Sequence, residues 1–282
     1  MNRILPTLIF FSLLSSACTH RLTNENNSQN LFNGKNLEGW NKYIGPTNYA
    51  QEKFSGTPLG LNNDPNKVFS VADVNGEKVI RISGENYGAL STEKEFENYH
   101  LTLNFKWGKL VHPSKMGRKK DSGVLYHSVG PNGADFGFWM RSQEFQVQEG
   151  DCGDYWGCAG GTADIKSIKN VKGEYIYDAG GDLNSFGEKT KIGRHCIKNP
   201  DMEKPMGEWN SIEIYCRGDT SVHILNGVVN MVLYHNRQYD NGKETPLTKG
   251  KIQLQSEGSE VFYKNIRLQE IKNIPKGVLN GK

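Results

Sequence analysis

Hydrophobic and polar positions alternate along most of this chain with a period of two, the pattern of strands that bury one face. The clearest run is His100–Trp107, where Leu101, Leu103, Phe105 and Trp107 are predicted to point inward. Similar runs span Val68–Val74, Lys78–Ser83, Ala89–Glu93, Gly123–His127, Glu144–Gln148, Asn210–Cys216, Ser221–Leu225, Val228–Tyr234, Lys251–Glu257 and Val261–Glu270. Asn226-Gly227 lies between two of them and predicts a type I′ hairpin turn, which needs positive φ at both positions. No long helical stripe and no internal repeat appears. Many short strands separated by glycine turns predict an all-β domain, a β-sandwich or jelly roll, over residues 31–272. Residues 273–282 read as a C-terminal tail.

One strand carries unusual chemistry. In Gln143–Gln148, Phe145 and Val147 are predicted to enter the core, which puts Glu144, Gln146 and Gln148 in a row on the other face. A carboxylate followed by two carboxamides offers directed donors and acceptors of the kind that sugar hydroxyls need. The run Ile252–Glu257 repeats the theme with Gln255 and Glu257. Two such strands in one sheet would form a polar, carbohydrate-binding face. Trp139 and Trp156 flank the first strand and are candidates for stacking on sugar rings, as is Tyr155; Arg141 is a nearby cation for Glu144 or for substrate.

The formal charge of +3 over 282 residues gives no case for nucleic-acid binding. The dense basic run from Lys109 to Lys120 reads as a solvated loop, with a contact to an acidic glycan or the membrane surface as the alternative. Residues 1–17 have a short basic start, an apolar stretch from Ile4 to Leu14 and small residues before Cys18. That stretch is short for a membrane span and reads as an export signal. Small residues directly before Cys18 resemble a bacterial lipobox, although Ser15 stands where an aliphatic residue is usual. An ordinary secretory signal with an incidental cysteine is the alternative. The lipobox reading gives a chain held in the cell envelope by a lipid on Cys18. Thr19 is not the aspartate that retains lipoproteins at the inner membrane, so an outer-membrane anchor facing the periplasm is expected. Residues 18–30 then form a polar tether.

Cys152, Cys158, Cys196 and Cys216 remain. An even count in an exported chain favours disulfides, and spacing suggests Cys152–Cys158 and Cys196–Cys216; four free thiols are the alternative. Residues 151–206 show little alternation and are expected to be an insertion that rims or covers the polar strand. A decorative surface insertion is the other reading.

Several segments resemble one known family in order along the chain. They are Leu31-Phe32-Asn33-Gly34 through Gly39-Trp40, Asp121-Ser122-Gly123, Glu144-Phe145-Gln146-Val147, Gly207-Glu208-Trp209-Asn210, Asn226-Gly227, Gln253-Leu254-Gln255 and Phe262–Arg267. Together they are similar to the 3-keto-disaccharide hydrolase family, over roughly residues 31–271. The resemblance implies a concanavalin-like jelly roll of two curved antiparallel sheets with its site on the concave face. It also implies action on glycosides oxidised at sugar C3. The basic Lys109–Lys120 loop and the 151–206 segment depart from shorter members.

A ketone at C3 acidifies the C2 hydrogen, so a base can remove it and the C1 leaving group can depart. Glu144 is the expected base or metal ligand, and His127 a candidate acid, base or ligand. A divalent metal is a possible electrophile. Gln146, Gln148, Gln255 and Glu257 would orient hydroxyls. Two other classes remain open. A retaining glycanase would use Glu144 and Glu149 at bulged spacing, with Gln146 where such enzymes carry Asp. A non-catalytic lectin would use its aromatics, or calcium on Asp151, Asp154 and Asp164. If Cys18 carries the lipid, Cys18→Ala is expected to move the protein out of the membrane fraction; unchanged partition on fractionation rules the anchor out.

Overall fold

A computed structural model describes residues 28–281. The export signal, Cys18 and most of the tether lie outside the described residues. Two large antiparallel sheets dominate. One has 12 strands and runs in the order Tyr175–Tyr177, Gly161–Lys169, Val228–Asp240, Thr220–Leu225, Asn210–Arg217, Tyr99–Val111, Ser259–Glu270, Glu77–Ile82, Phe69–Val74 along its main path. The other has nine among the described residues and runs His195–Cys196, Tyr155–Cys158, Arg141–Gln148, Asp121–Val129, Lys249–Ser256, Gly88–Thr92, Trp40–Ile44, Gly60–Leu61 along its main path, with Phe96–Glu97 paired to Lys249–Ser256 off it. This is the expected all-β sandwich.

Alternation explains the packing. Leu101, Leu103, Phe105 and Trp107 of the first sheet meet Val124, Tyr126, Phe145, Val147, Ile252 and Leu254 of the second in one buried cluster. Each is on the inward phase of its strand, so removing this apolar area from water holds the layers together. Asn226 and Gly227 have φ of 51° and 82°, the I′ hairpin that joins Thr220–Leu225 to Val228–Asp240. Strand pairing begins earlier than expected, because Ser28–Asn30 pairs with the outer end of Ser259–Glu270. After the last strand, Ile274, Val278 and Leu279 pack on a second apolar cluster, so the C-terminal segment is docked.

The 151–206 segment is built of strands. Tyr155–Cys158 and His195–Cys196 extend the nine-stranded sheet, while Gly161–Lys169, Tyr175–Tyr177 and Asp182–Phe186 extend the other. Its apolar residues Tyr155, Ala163, Ile165, Phe186 and Cys196 form the second cluster with Val222, Met231 and Leu233. Those residues are too scattered in sequence to show a long period.

The two expected disulfides are not formed: all four cysteines are free and buried. Cys196 belongs to the nine-stranded sheet and Cys216 to the 12-stranded one, each inside a different apolar cluster. Cys152 Sγ donates to the Gln148 carbonyl and Cys158 Sγ to Glu144, so the two near neighbours in sequence serve separate partners. Buried cysteine here acts as a small hydrophobe with a weak donor. The domain's four thiols are therefore expected to resist a thiol reagent in the native state and all to react in denaturant. Reducing agent is expected to leave Tm unchanged; a drop would restore the disulfide reading.

Candidate functional site

The Arg141–Gln148 strand lies between Asp121–Val129 and Tyr155–Cys158, with Leu125 opposite Glu144, Gly123 opposite Gln146 and Asp121 opposite Gln148. Since Phe145 and Val147 are in the core, Glu144, Gln146 and Gln148 face the other way. There they line a cavity of about 350 Å³ together with Gln255, Glu257, Asp121 and a set of aromatic rings. The floor has room because residue 123 is glycine. A Cβ at Gly123 would stand 2.3 Å from Glu144 Oε1 and 2.5 Å from Gln255 Oε1, well inside contact distance.

Glu144 is only 4% exposed. Its Oε2 accepts the Cys158 thiol at 3.2 Å. Burial raises its pKa to about 8, and the charge of Glu257 adds to that; Cys158 and Arg194 pull the other way. The carboxyl is thus poised to hold or release a proton near neutral pH. Beside it, Lys115 Nζ contacts Asp121 and lies 3.0 Å from Glu257. Burial and the neighbouring Glu257 push Asp121 well above the usual carboxylate range, partly offset by Lys115. Burial alone would lower Lys115, but Glu257 and Asp121 outweigh it and raise it. Asp121 Oδ1 and Gln255 Oε1 are buried with no protein partner among the described residues.

Two walls rise from this floor. On one side Tyr87, Phe138 and Trp139 pack on one another, Tyr87 and Trp139 with ring centroids 6.3 Å apart. On the other, Arg194 stands between the rings of Phe136 and Trp156, 4.9 and 5.4 Å from their centroids. Ion pairs to Asp135 at 2.9 Å and Glu188 at 3.1 Å pin it there.

The structure therefore brings Glu144, Gln146, Gln148, Gln255, Glu257, Trp139 and Trp156 to one cavity. Other expected residues lie elsewhere. His127 would share the face of Gly123 and Leu125 by strict alternation, but a bulge shifts the register between Tyr126 and Val129. Its φ of 52° turns the ring into the sandwich, against Tyr99 and Tyr126, where Nδ1 meets the Leu247 carbonyl. Burial lowers its pKa to about 4, so it is a neutral core histidine. Arg141 is turned away to Asp240, Gln238 and Ala159. Tyr155 is a core residue whose hydroxyl donates to Gln143.

The alternative readings lose their groups as well. Glu149 sits in the turn after the strand, accepting from the Lys120 backbone outside the cavity lining, so the glycanase pair with Glu144 is not assembled. Asp151, Asp154 and Asp164 belong to three separate ion pairs, with Lys119, His195 and Arg237. No group of three or more His, Cys, Asp or Glu suited to a metal occurs among the described residues. Lys115 already lies between Asp121 and Glu257, so the donor set at the cavity does not fit a divalent metal.

Sequence reading missed Lys115, Asp121, Asp135, Arg194 and Tyr87. Asp121 was within reach, since it is two residues from Gly123 and so on the same face. Nothing local marks the others, which arrive from loops and from the 151–206 segment.

Residues 27–269 match the model of the 3-keto-alpha-glucoside-1,2-lyase-like domain. Among solved structures, the chain is similar to a candidate glycosyl hydrolase of Parabacteroides distasonis, at 22% identity, covering 87% of this chain and 100% of that one, with a TM-score of 0.48. It is also similar to the beta-glucanase of Bacillus licheniformis, at 11% identity, 88% and 99% coverage and a TM-score of 0.42. The carbohydrate binding module CBM66 of Bacillus subtilis follows at 7% identity, 71% and 91% coverage and a TM-score of 0.40. No curated protein matches the chain.

Gly123→Ala tests the floor. The clash falls on two side-chain ends, so the variant is expected to fold with Tm lowered by only a few degrees, about 1 kcal/mol or so. A crystal structure is expected to show the Glu144 carboxyl displaced from Cys158. An unmoved carboxyl would mean the close approach does not require glycine.

Proposed function

The chain belongs to the 3-keto-alpha-glucoside-1,2-lyase-like family, and on that premise we propose that it cleaves the glycosidic bond of 3-keto-glycosides, with Glu144 as the base. Glu144 takes the C2 proton of the bound sugar. The C2–H electrons form the enolate with the C3 ketone, then re-form the ketone as the C1–O bond breaks. The leaving oxygen takes a proton from the Asp121–Lys115–Glu257 group. Water then adds across C1 and C2 and restores the 3-keto sugar.

The observation that carries this reading is the environment of Glu144. It is a buried carboxyl with its pKa raised to about 8, lining a cavity together with three carboxamides. A more basic carboxylate is a stronger acceptor for a carbon-bound proton, and the ketone brings that proton within its range. Gln146 spends its Oε1 on the Val147 backbone N–H, which leaves its NH₂ group for the enolate oxygen. Gln255 and Gln148 orient ring hydroxyls, and Trp139 and Trp156 bound the ring. Export through residues 1–17 and a lipid on Cys18 would put this activity at the cell envelope.

Glu144→Gln keeps shape and removes basicity. It is expected to lower kcat by about 10²–10⁴-fold, the usual worth of a positioned base. Turnover in heavy water is expected to leave deuterium at C2 of the product, read by NMR. Full activity in Glu144→Gln rejects this base, and cleavage of unoxidised glucosides without C2 exchange favours a glycanase.

The pH dependence follows with its sign. Only ionised Glu144 accepts the proton, so kcat/KM is expected to rise with pH and level off above about 8. Stability runs the opposite way. The folded pKa lies above the ordinary carboxylate value, so the fold holds this proton more tightly than the unfolded chain does. That stabilisation is complete below the ordinary value of 4.5 and is lost as pH rises through about 8. Glu144→Gln is therefore expected to gain in Tm over wild type across that window, and a gap that does not change with pH would contradict it.

A further inference from the structure

We propose that the site continues past Tyr87 into a second cavity, and that this cavity receives the distal sugars of an oligosaccharide leaving group. The proposal rests on the reading that the reacting ring lies over Glu144.

A leaving group at C1 has two aromatic walls along which it can extend. The Arg194 wall is interlocked. Arg194 is held by Asp135 and Glu188, and Trp156 is stacked on His195 at 4.3 Å, which is itself bonded to Asp154. Beyond the Tyr87 wall, space resumes. A cavity of about 430 Å³ is lined by Asn48, Tyr49, Phe54, Asn86, His112 and their neighbours. Two aromatic rings in contact stand between them. Tyr87 lines the first cavity and Phe54 the second, and their ring centroids are 4.4 Å apart.

Three features suit this second cavity to sugar. First, Asn86 is 93% buried and lines the cavity. Second, Tyr49 and Phe54 are a cross-strand aromatic pair, 4.9 Å apart, on a small hairpin of Asn48–Ala50 and Lys53–Ser55. That hairpin pairs with neither large sheet. Its tight turn places Gln51 and Glu52 at φ of 50° and 60°. Phe54 anchors it on Tyr87 and Phe138, which leaves Tyr49 half-buried at the cavity. Third, aromatic faces beside carboxamides match a sugar, which presents C–H faces and a ring of hydroxyls.

The test uses three 3-keto-glucosides whose leaving groups are methanol, one glucose and a chain of two glucoses. For wild type, kcat/KM is expected to rise along the series. Tyr49→Ala and Asn86→Ala are each expected to cost about tenfold on the longest substrate, near 1.4 kcal/mol, and nothing on the methyl glycoside. A wild-type rate that is flat across the series overturns the proposal, as does an equal loss on all three substrates. If wild type cleaves none of them, the chemistry proposed for Glu144 has failed, and the cavity is then judged by calorimetry with unoxidised maltotriose. Binding that Tyr49→Ala weakens supports it, and no binding, or binding that Tyr49→Ala leaves unchanged, overturns it.

Discussion

The burial of one carboxyl organises this face of the protein. Glu144 is drawn below the surface because the floor beneath it is a glycine, its Oε2 meets a thiol, and the strand carrying it is clamped by Phe145 and Val147 in the core. Desolvating a carboxylate is unfavourable, and the group answers by holding its proton to higher pH. That cost is borne by the sandwich, whose inner faces bury a continuous apolar cluster independent of the site. The outer face of the same strand can therefore be used for chemistry.

Three carboxyls and a lysine crowd the floor, and their arrangement decides what each can do. Lys115 reaches Asp121 and Glu257 from a short 3-10 turn at Pro113–Lys115, and so partly neutralises them. Among the described residues Glu144 has no such cation in contact; Arg194 acts on it only at a distance. Partners thus distinguish the carboxyls: Asp121 and Glu257 touch an ammonium, and Glu144 meets a thiol. The Cys158 thiol is a weak donor, which fixes an oxygen of Glu144 while taking little of its basicity.

The 151–206 segment shows how an apparently patternless stretch becomes structural. Most of its strands are short, and its longest, Gly161–Lys169, pairs with Val228–Asp240, far away in sequence. Their apolar residues gather into a second core only after those pairings form. The same segment delivers Trp156, Cys158 and Arg194 to the cavity, so stability and site share one insertion.

The strands, their inward residues and the row of Glu144, Gln146 and Gln148 were legible in sequence, because side-chain direction in a strand repeats every two residues and one buried face fixes the register. The hairpin at Asn226-Gly227 was legible for a local reason too, since φ at both positions is a property of the dipeptide. His127 was read wrongly, as a single bulge reverses the side-chain direction that alternation predicts. The cysteines were misread because an even count says nothing about which sheet each one joins. Lys115, Arg194, Tyr87 and Asn86 reach their cavities through loops and long-range pairing. Local periodicity determined which face of the strand is polar; only the closing of the two sheets decided what stands opposite it, because contact between distant segments is set by packing and carries no repeat in the chain.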